Sequence, residues 1–245
     1  MAYDANNNSA TTNIVRPSYR MHVHYGAIGA VYAGMGGVEF AGSLPYTSST
    51  HTTVASCVDC HMGAKGGKSD LVGRAGGHTF FAKGNLTTCN ATCCHTTAVT
   101  TASTNLWLTP RAEIKTLLES LAKKLVIGTV EILNRNPNTD ETLGGVNLWA
   151  GITTNNYDGY LNVYDPVNNP NFAANNPTGT FQNPAPSSSW TAEQKALNLT
   201  FPKISLTNAQ YGACLNFQLC LRDYSLGIHN YAYTKALLTN TIAKL

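Results

Sequence analysis

The segment Cys57-Val58-Asp59-Cys60-His61 constrains this chain more than any other. Two thiols three positions apart, followed directly by an imidazole, form the spacing that attaches a haem covalently. One turn of backbone lets both sulfurs reach the two vinyl groups of a single porphyrin, while the next residue turns its ring nitrogen toward the iron. A looser copy follows at Cys89-Asn90-Ala91-Thr92-Cys93-Cys94-His95. There the Cys-His pair is kept and the partner thiol, Cys89, stands five positions before Cys94, an expanded loop able to span the ring edge. The cofactor implied is haem c, bound covalently at Cys57 and Cys60 and at Cys89 and Cys94, with His61 and His95 on the irons.

Two other chemistries use the same residue types. Thiolates and imidazoles hold Zn²⁺, but structural zinc sites space their ligands as two pairs and have no reason to place a His directly after the second Cys. A pair of disulfides leaves His61 and His95 unexplained.

The surface implied by composition is polar without being ionic. Only 12% of the 245 residues are charged, and the net charge of +3 is small and not clustered, so nothing points to nucleic acid. Such a surface suits an exported protein. No window approaches the roughly 18 uninterrupted apolar residues of a membrane span. Residues 1 to 8 lack the basic and apolar regions of a signal peptide. Covalent haem attachment takes place outside the cytoplasm, so a leader preceding this numbering is expected. Of the seven cysteines, Cys93, Cys214 and Cys220 are left over by the haem reading. Cys214 and Cys220 fall in a helical pattern that separates them by about 9 Å along its axis, too far for a disulfide.

Three regions follow along the chain. Residues 1–50 form a glycine-rich amino-terminal arm with few helix signals, read as extended and turn-rich. Residues 51–96 hold the two attachment loops, joined by a further glycine-rich stretch that allows backbone to approach a flat ring closely. Residues 97–245 are helical and loop-rich and carry a distal-ligand segment; the whole is read as one haem-bridged unit. A helix is predicted over 110–127, with Thr109 as N-cap, Pro110 at the first helical position and Ile114, Leu117, Leu118, Leu121 and Leu125 on one face. Helices are also predicted over 209–223, capped by Thr207 or Asn208, and over 231–245, with Leu238, Ile242 and Leu245 inward. Residues 128–190 read as loop with a short strand or hairpin around 160–164. The fold class is therefore mostly irregular coil with a few α-helices and little β structure. Asn85, Asn90 and Asn198 match the acceptor pattern for N-glycosylation, which arises easily by chance in an Asn/Thr-rich chain.

An electron-transfer haem is usually closed on both faces, so two haems need two distal ligands besides His61 and His95. His22, His24, His51, His78 and His229 are five candidates for two places. His51 lies six residues before Cys57, His78 follows two glycines and precedes Phe80, and His229 stands just before the last predicted helix. His24 lies in the arm, and His22 is the weakest of the five.

The succession His24-Tyr25-Gly26, Gly36 to Phe40, Ser49 to Thr52, Cys57 to Met62, Gly76 to Phe80, and Asn216 to Gln218 through Asp223, Gly227, His229-Asn230 and Tyr233 to Leu238 resembles the multihaem c-type cytochromes of metal-reducing bacteria. It is similar in particular to those that polymerise into extracellular cytochrome filaments, or nanowires. The resemblance covers roughly residues 20 to 96 and 208 to 245. It implies bis-histidine haems stacked in a chain, a fold organised by haem, and a histidine donated to a haem of the neighbouring subunit. Further Cys-x-x-Cys-His motifs usual in such proteins are missing here, so the surplus imidazoles are expected to bind in trans, to hold haem without thioethers, or to be relics. The geometry favoured for trans ligation is His24 on its arm.

The function expected is electron transfer, not enzymatic catalysis, by an exported cytochrome that forms a homo-polymer with haem-to-haem contact between subunits. Further haem shared with neighbouring subunits, and exchange with other redox proteins or extracellular electron acceptors, belong to the same expectation. Localisation is extracellular or at the cell surface, with the periplasm as the alternative. A reductase or peroxidase with one open iron site, a monomeric periplasmic carrier, and a structural surface protein holding metals or disulfides in place of haem are the competing functions.

Overall fold

The computed structural model describes residues 23, 26–62, 86–90, 94–100, 102–128, 130–135, 142–143, 146–147, 157–161, 192 and 205–245. Its helices in chain order are α1 (Ala27–Tyr32), α2 (His51–Val54), α3 (Cys57–His61), α4 (Thr109–Lys124), α5 (Asn208–Arg222) and α6 (Tyr231–Lys244). Strand is sparse among the described residues. Antiparallel pairs join β1 (Val126–Ile127) to β2 (Val130–Glu131), β3 (Leu133–Arg135) to β6 (Tyr157–Leu161), and β4 (Thr142–Leu143) to β5 (Val146–Asn147). The class is thus helix and coil with little strand.

Helix α5 lies at the centre. Ala213, Cys214, Phe217 and Cys220 are buried along with most of its other faces, which a helix tolerates only when surrounded. α4 and α6 pack on it and on each other, and α1 covers part of the remaining side. α4 contributes Ile114, Leu118, Leu121 and Leu125, all fully buried, at the predicted three- and four-residue spacing. Thr207 caps α5 reciprocally: its hydroxyl accepts from the Gln210 amide at 3.1 Å and the Gln210 side chain accepts from the Thr207 amide at 3.0 Å. Asn230 caps α6. Cys214 and Cys220 are free thiols in the core.

Two boundaries differ from the sequence reading. α4 does not begin at an N-cap on Thr109, because a π-helical turn at Thr104–Leu108 runs straight into it. Pro110 still sits in the first turn of α4. α4 ends at Lys124, since Val126 and Ile127 leave it to pair with Glu131 and Val130 across a turn at Gly128. β6 pairs with β3 rather than closing a local hairpin, and residues 162–164 lie outside the described residues.

The segment from Gly26 to Thr50 has no strand partner and is nonetheless fixed to the helices, with Val31 and Phe40 buried. Side-chain amides do the work of a ladder. The Asn216 amide accepts from Val38 N at 2.6 Å and donates to Val38 O at 2.8 Å, and Asn240 grips Leu44 N and O at 3.1 and 2.8 Å. Asn230 accepts from Ser49 N at 2.9 Å and donates to Tyr32 O at 3.2 Å. All three asparagines are buried, so these bonds satisfy their own amides while pairing half-buried backbone groups. The same bonds place α2 and α3 beside the start of α6.

Candidate functional site

The first Cys-x-x-Cys-His stretch forms α3 because it carries its own cap. Ser56 N and Ser56 Oγ both donate to Asp59 Oδ2 at 2.7 Å, and these bonds hold the Asp59 carboxyl below the usual carboxylate range. Within the single turn so nucleated, Cys57 and Cys60 are three positions apart and share a face, both exposed. His61 follows at the last helical position.

A turn at Thr87–Asn90 packs on α3 and carries the half-buried Cys89. Thr88 Oγ1 donates to the Cys60 carbonyl at 3.1 Å, tying the two loops together. Asn90 closes the second loop: Val99 N donates to Asn90 Oδ1 at 2.5 Å and Asn90 Nδ2 donates to Val99 O at 3.3 Å. That clamp brings Cys94 and His95 back toward α3, and it engages the amide that glycosylation would need. Partial burial pushes the Cys60 thiol up, and Cys89, Asp59, Cys94 and Cys57 add to the shift, so the four thiols share one neighbourhood.

His51 opens α2. The Tyr32 hydroxyl holds the far end of that helix by donating to the Ala55 carbonyl. His51 Nδ1 lies 3.3 Å from the Ile228 carbonyl, an acceptor that fixes the proton on Nδ1 and leaves Nε2 available. The next residue is His229, whose Nδ1 is 2.6 Å from Asp223 Oδ1. Asp223 is fully buried, while the His229 side chain is 19% exposed. Ser225 Oγ donates to Asp223 Oδ2 and accepts from His229 N at 3.2 Å. The backbone between them turns through left-handed φ at Tyr224, Leu226 and Gly227. A Cβ at Gly227 would stand 2.8 Å from Ile114 Cγ1, so glycine is required there for both space and conformation.

These elements bring the described histidines together in two pairs. The His61 and His229 rings have centroids 5.8 Å apart with planes inclined at 36°, and His51 and His95 are 5.9 Å apart at 79°. Two imidazoles on opposite sides of one metal atom are separated by two metal–nitrogen bonds of about 2 Å and two nitrogen-to-centroid radii of roughly 1.2 Å, slightly less than a partial-double C–N bond. The sum is about 6.4 Å. Both centroid separations fall about half an ångström short of that sum, and each pair contains one histidine that directly follows a cysteine, His61 after Cys60 and His95 after Cys94, and one from elsewhere in the chain. Among the described residues no group of three or more His, Cys, Asp or Glu is arranged to hold a bare metal ion. His22, His24, His78 and Cys93 lie outside the described residues.

Sequence reasoning found every imidazole in the two pairs and missed their supports. Ser56 and Asp59 carried a readable signal, a hydroxyl three residues before a carboxylate. Asp223, Asn230 and Asn90 carried none, since their partners are set by the turn or by distant chain. No family model, curated protein or solved structure matches this chain.

Proposed function

We propose that this chain is an exported c-type cytochrome that transfers electrons through bis-histidine haems as a subunit of an extracellular polymer. The observation that supports it best is the coincidence of motif and pairing: the two histidines adjacent to Cys60 and Cys94 each lie within 6 Å of a second imidazole ring. Cys57 and Cys60 would hold one haem by thioethers, with His61 proximal and His229 distal. Cys89 and Cys94 would hold the other, with His95 proximal and His51 distal. Bound there, the haems supply one-electron ferric/ferrous chemistry.

The chain's own residues do the rest. The Asp59 cap and the Asn90–Val99 clamp orient the thiols. Asp223 and the Ile228 carbonyl each take an Nδ1 proton and so aim Nε2. If both imidazoles of a pair held the same iron, no coordination position would be open to substrate, which favours an electron carrier over a reductase or peroxidase. Potentials should be low, because methionine ligation, which raises them, is absent from both pairs. Polymerisation rests on the resemblance to filament cytochromes and on the surplus of His22, His24 and His78, and places the chain outside the cell with redox proteins or external acceptors as partners. No described helix is long and apolar enough to cross a membrane.

Chain matured with a cytochrome c assembly system should carry two haem masses by intact mass spectrometry and give a haem c pyridine haemochrome spectrum. Zero added mass rejects the cytochrome; one rejects the second site. Low-spin spectra indifferent to CO and cyanide are expected, and tight ligand binding would favour the enzyme. Negative-stain images of the native extracellular fraction decide between filament and monomeric periplasmic carrier.

A further inference from the structure

The two distal imidazoles are held by chemically different acceptors. His229 Nδ1 meets a carboxylate at 2.6 Å, whereas His51 Nδ1 meets a neutral carbonyl at 3.3 Å. We propose that Asp223 makes the two sites redox-inequivalent, holding an iron between His61 and His229 at a lower potential than one between His51 and His95. The inference rests on the haem reading above.

Two effects of Asp223 act in one direction. A ring N–H given to a carboxylate makes the opposite nitrogen a stronger donor, which favours the ferric state. The carboxylate also adds a negative charge near the metal, and with Asp223 fully buried that charge is poorly screened. At His51 the acceptor is longer, uncharged and beside an exposed ring, so neither effect operates strongly. The turn that delivers Asp223 is itself constrained, with non-glycine residues Tyr224 and Leu226 held at φ 59° and 53°. Such backbone persists only where its surroundings fix it. Ser225 adds a control of opposite sign. By donating to Asp223 Oδ2 it draws charge away from the oxygen that faces His229, so its removal should strengthen the push.

The ring planes allow each site to be read separately. In low-spin ferric haem, near-perpendicular axial imidazoles give one strongly shifted EPR feature and more nearly parallel ones give a resolved rhombic signal. The 79° pair should produce the first and the 36° pair the second. Holoprotein poised at stepped potentials and frozen should therefore lose its rhombic signal at the lower potential. Asp223→Asn should move that signal's midpoint upward and leave the other in place, with two haems retained and both low-spin; Ser225→Ala should move it downward. Wild-type protein in which the rhombic centre is reduced first overturns the proposal without any variant. So does an Asp223→Asn protein in which neither midpoint moves, or in which both move together. Protein lacking covalent haem overturns the cytochrome reading beneath it, and is told apart by its mass.

Discussion

At the scale of single residues, His51 and His229 are each specified twice, once by the ring beside them and once by the atom that Nδ1 touches. Because the pairs cross the chain, substitutions should group by pair rather than by motif. His61→Ala and His229→Ala should each disturb one and the same low-spin centre, and His51→Ala and His95→Ala the other, when visible and EPR spectra of the four holoproteins are compared. Spectra that group His51 with His61 would reject the pairing. The Cys-x-x-Cys-His spacing was legible in the sequence because three-residue spacing within one turn is a local property. The pairing was not, because it depends on where the Asn208–Leu245 region returns across the His51–His61 region, and no local spacing encodes that. Asp223 was hidden for the same reason: an acid six residues before a histidine means nothing until Tyr224, Leu226 and Gly227 fold the turn back.

Among the elements, α4, α5 and α6 were readable from apolar periodicity and, for α5, from the cap at Thr207, since those signals are written in consecutive residues. Residues 1–50 were read as an extended, turn-rich arm because they carry few helix signals, yet Ala27–Tyr32 is helical and the segment from Gly26 to Thr50 is docked on the helices. Its order comes instead from asparagines far away in sequence. Asn230 concentrates this role: it accepts from Ser49 N at 2.9 Å and Tyr233 N at 3.3 Å and donates to Tyr32 O and Ser48 Oγ, each at 3.2 Å. Asn230→Ala removes these bonds and leaves the Tyr233 amide and the half-buried Ser49 and Tyr32 backbone groups without this partner, each at a cost near the low end of about 1–3 kcal/mol. A loss of roughly 3 kcal/mol is expected in denaturant unfolding, with local loosening of both Ser49 and His229 visible as faster hydrogen exchange. A loss below about 1 kcal/mol would show that water replaces the amide and that the stitch is not what orders the segment.

For the molecule as a whole, most of the described cysteines fall into two populations, with Cys89 half-buried between them. Cys57, Cys60 and Cys94 are exposed on the candidate haem face, while Cys214 and Cys220 are sealed in the helical core with Tyr233. Burial pushes both core thiols well above their ordinary value of 9.0, and it pushes the Tyr233 phenol from 10.0 up to about 12. These groups keep their protons in the folded chain and lose them in the unfolded one. Their contribution to stability is therefore complete below pH 9 and drains away as the solution passes first the unfolded thiol value of 9.0 and then the unfolded phenol value of 10.0, toward 12. Each group subtracts about 1.4 kcal/mol per pH unit once its unfolded form ionises. Denaturant unfolding followed by helical circular dichroism should thus show stability level on the neutral side and falling steeply in alkali, with a shallower fall in a Cys214→Ala, Cys220→Ala double variant. A wild-type profile that stays level through the alkaline range would mean that the unfolded chain protects these groups as well as the core does, and the buried thiols would then have no hold on the pH dependence of the fold.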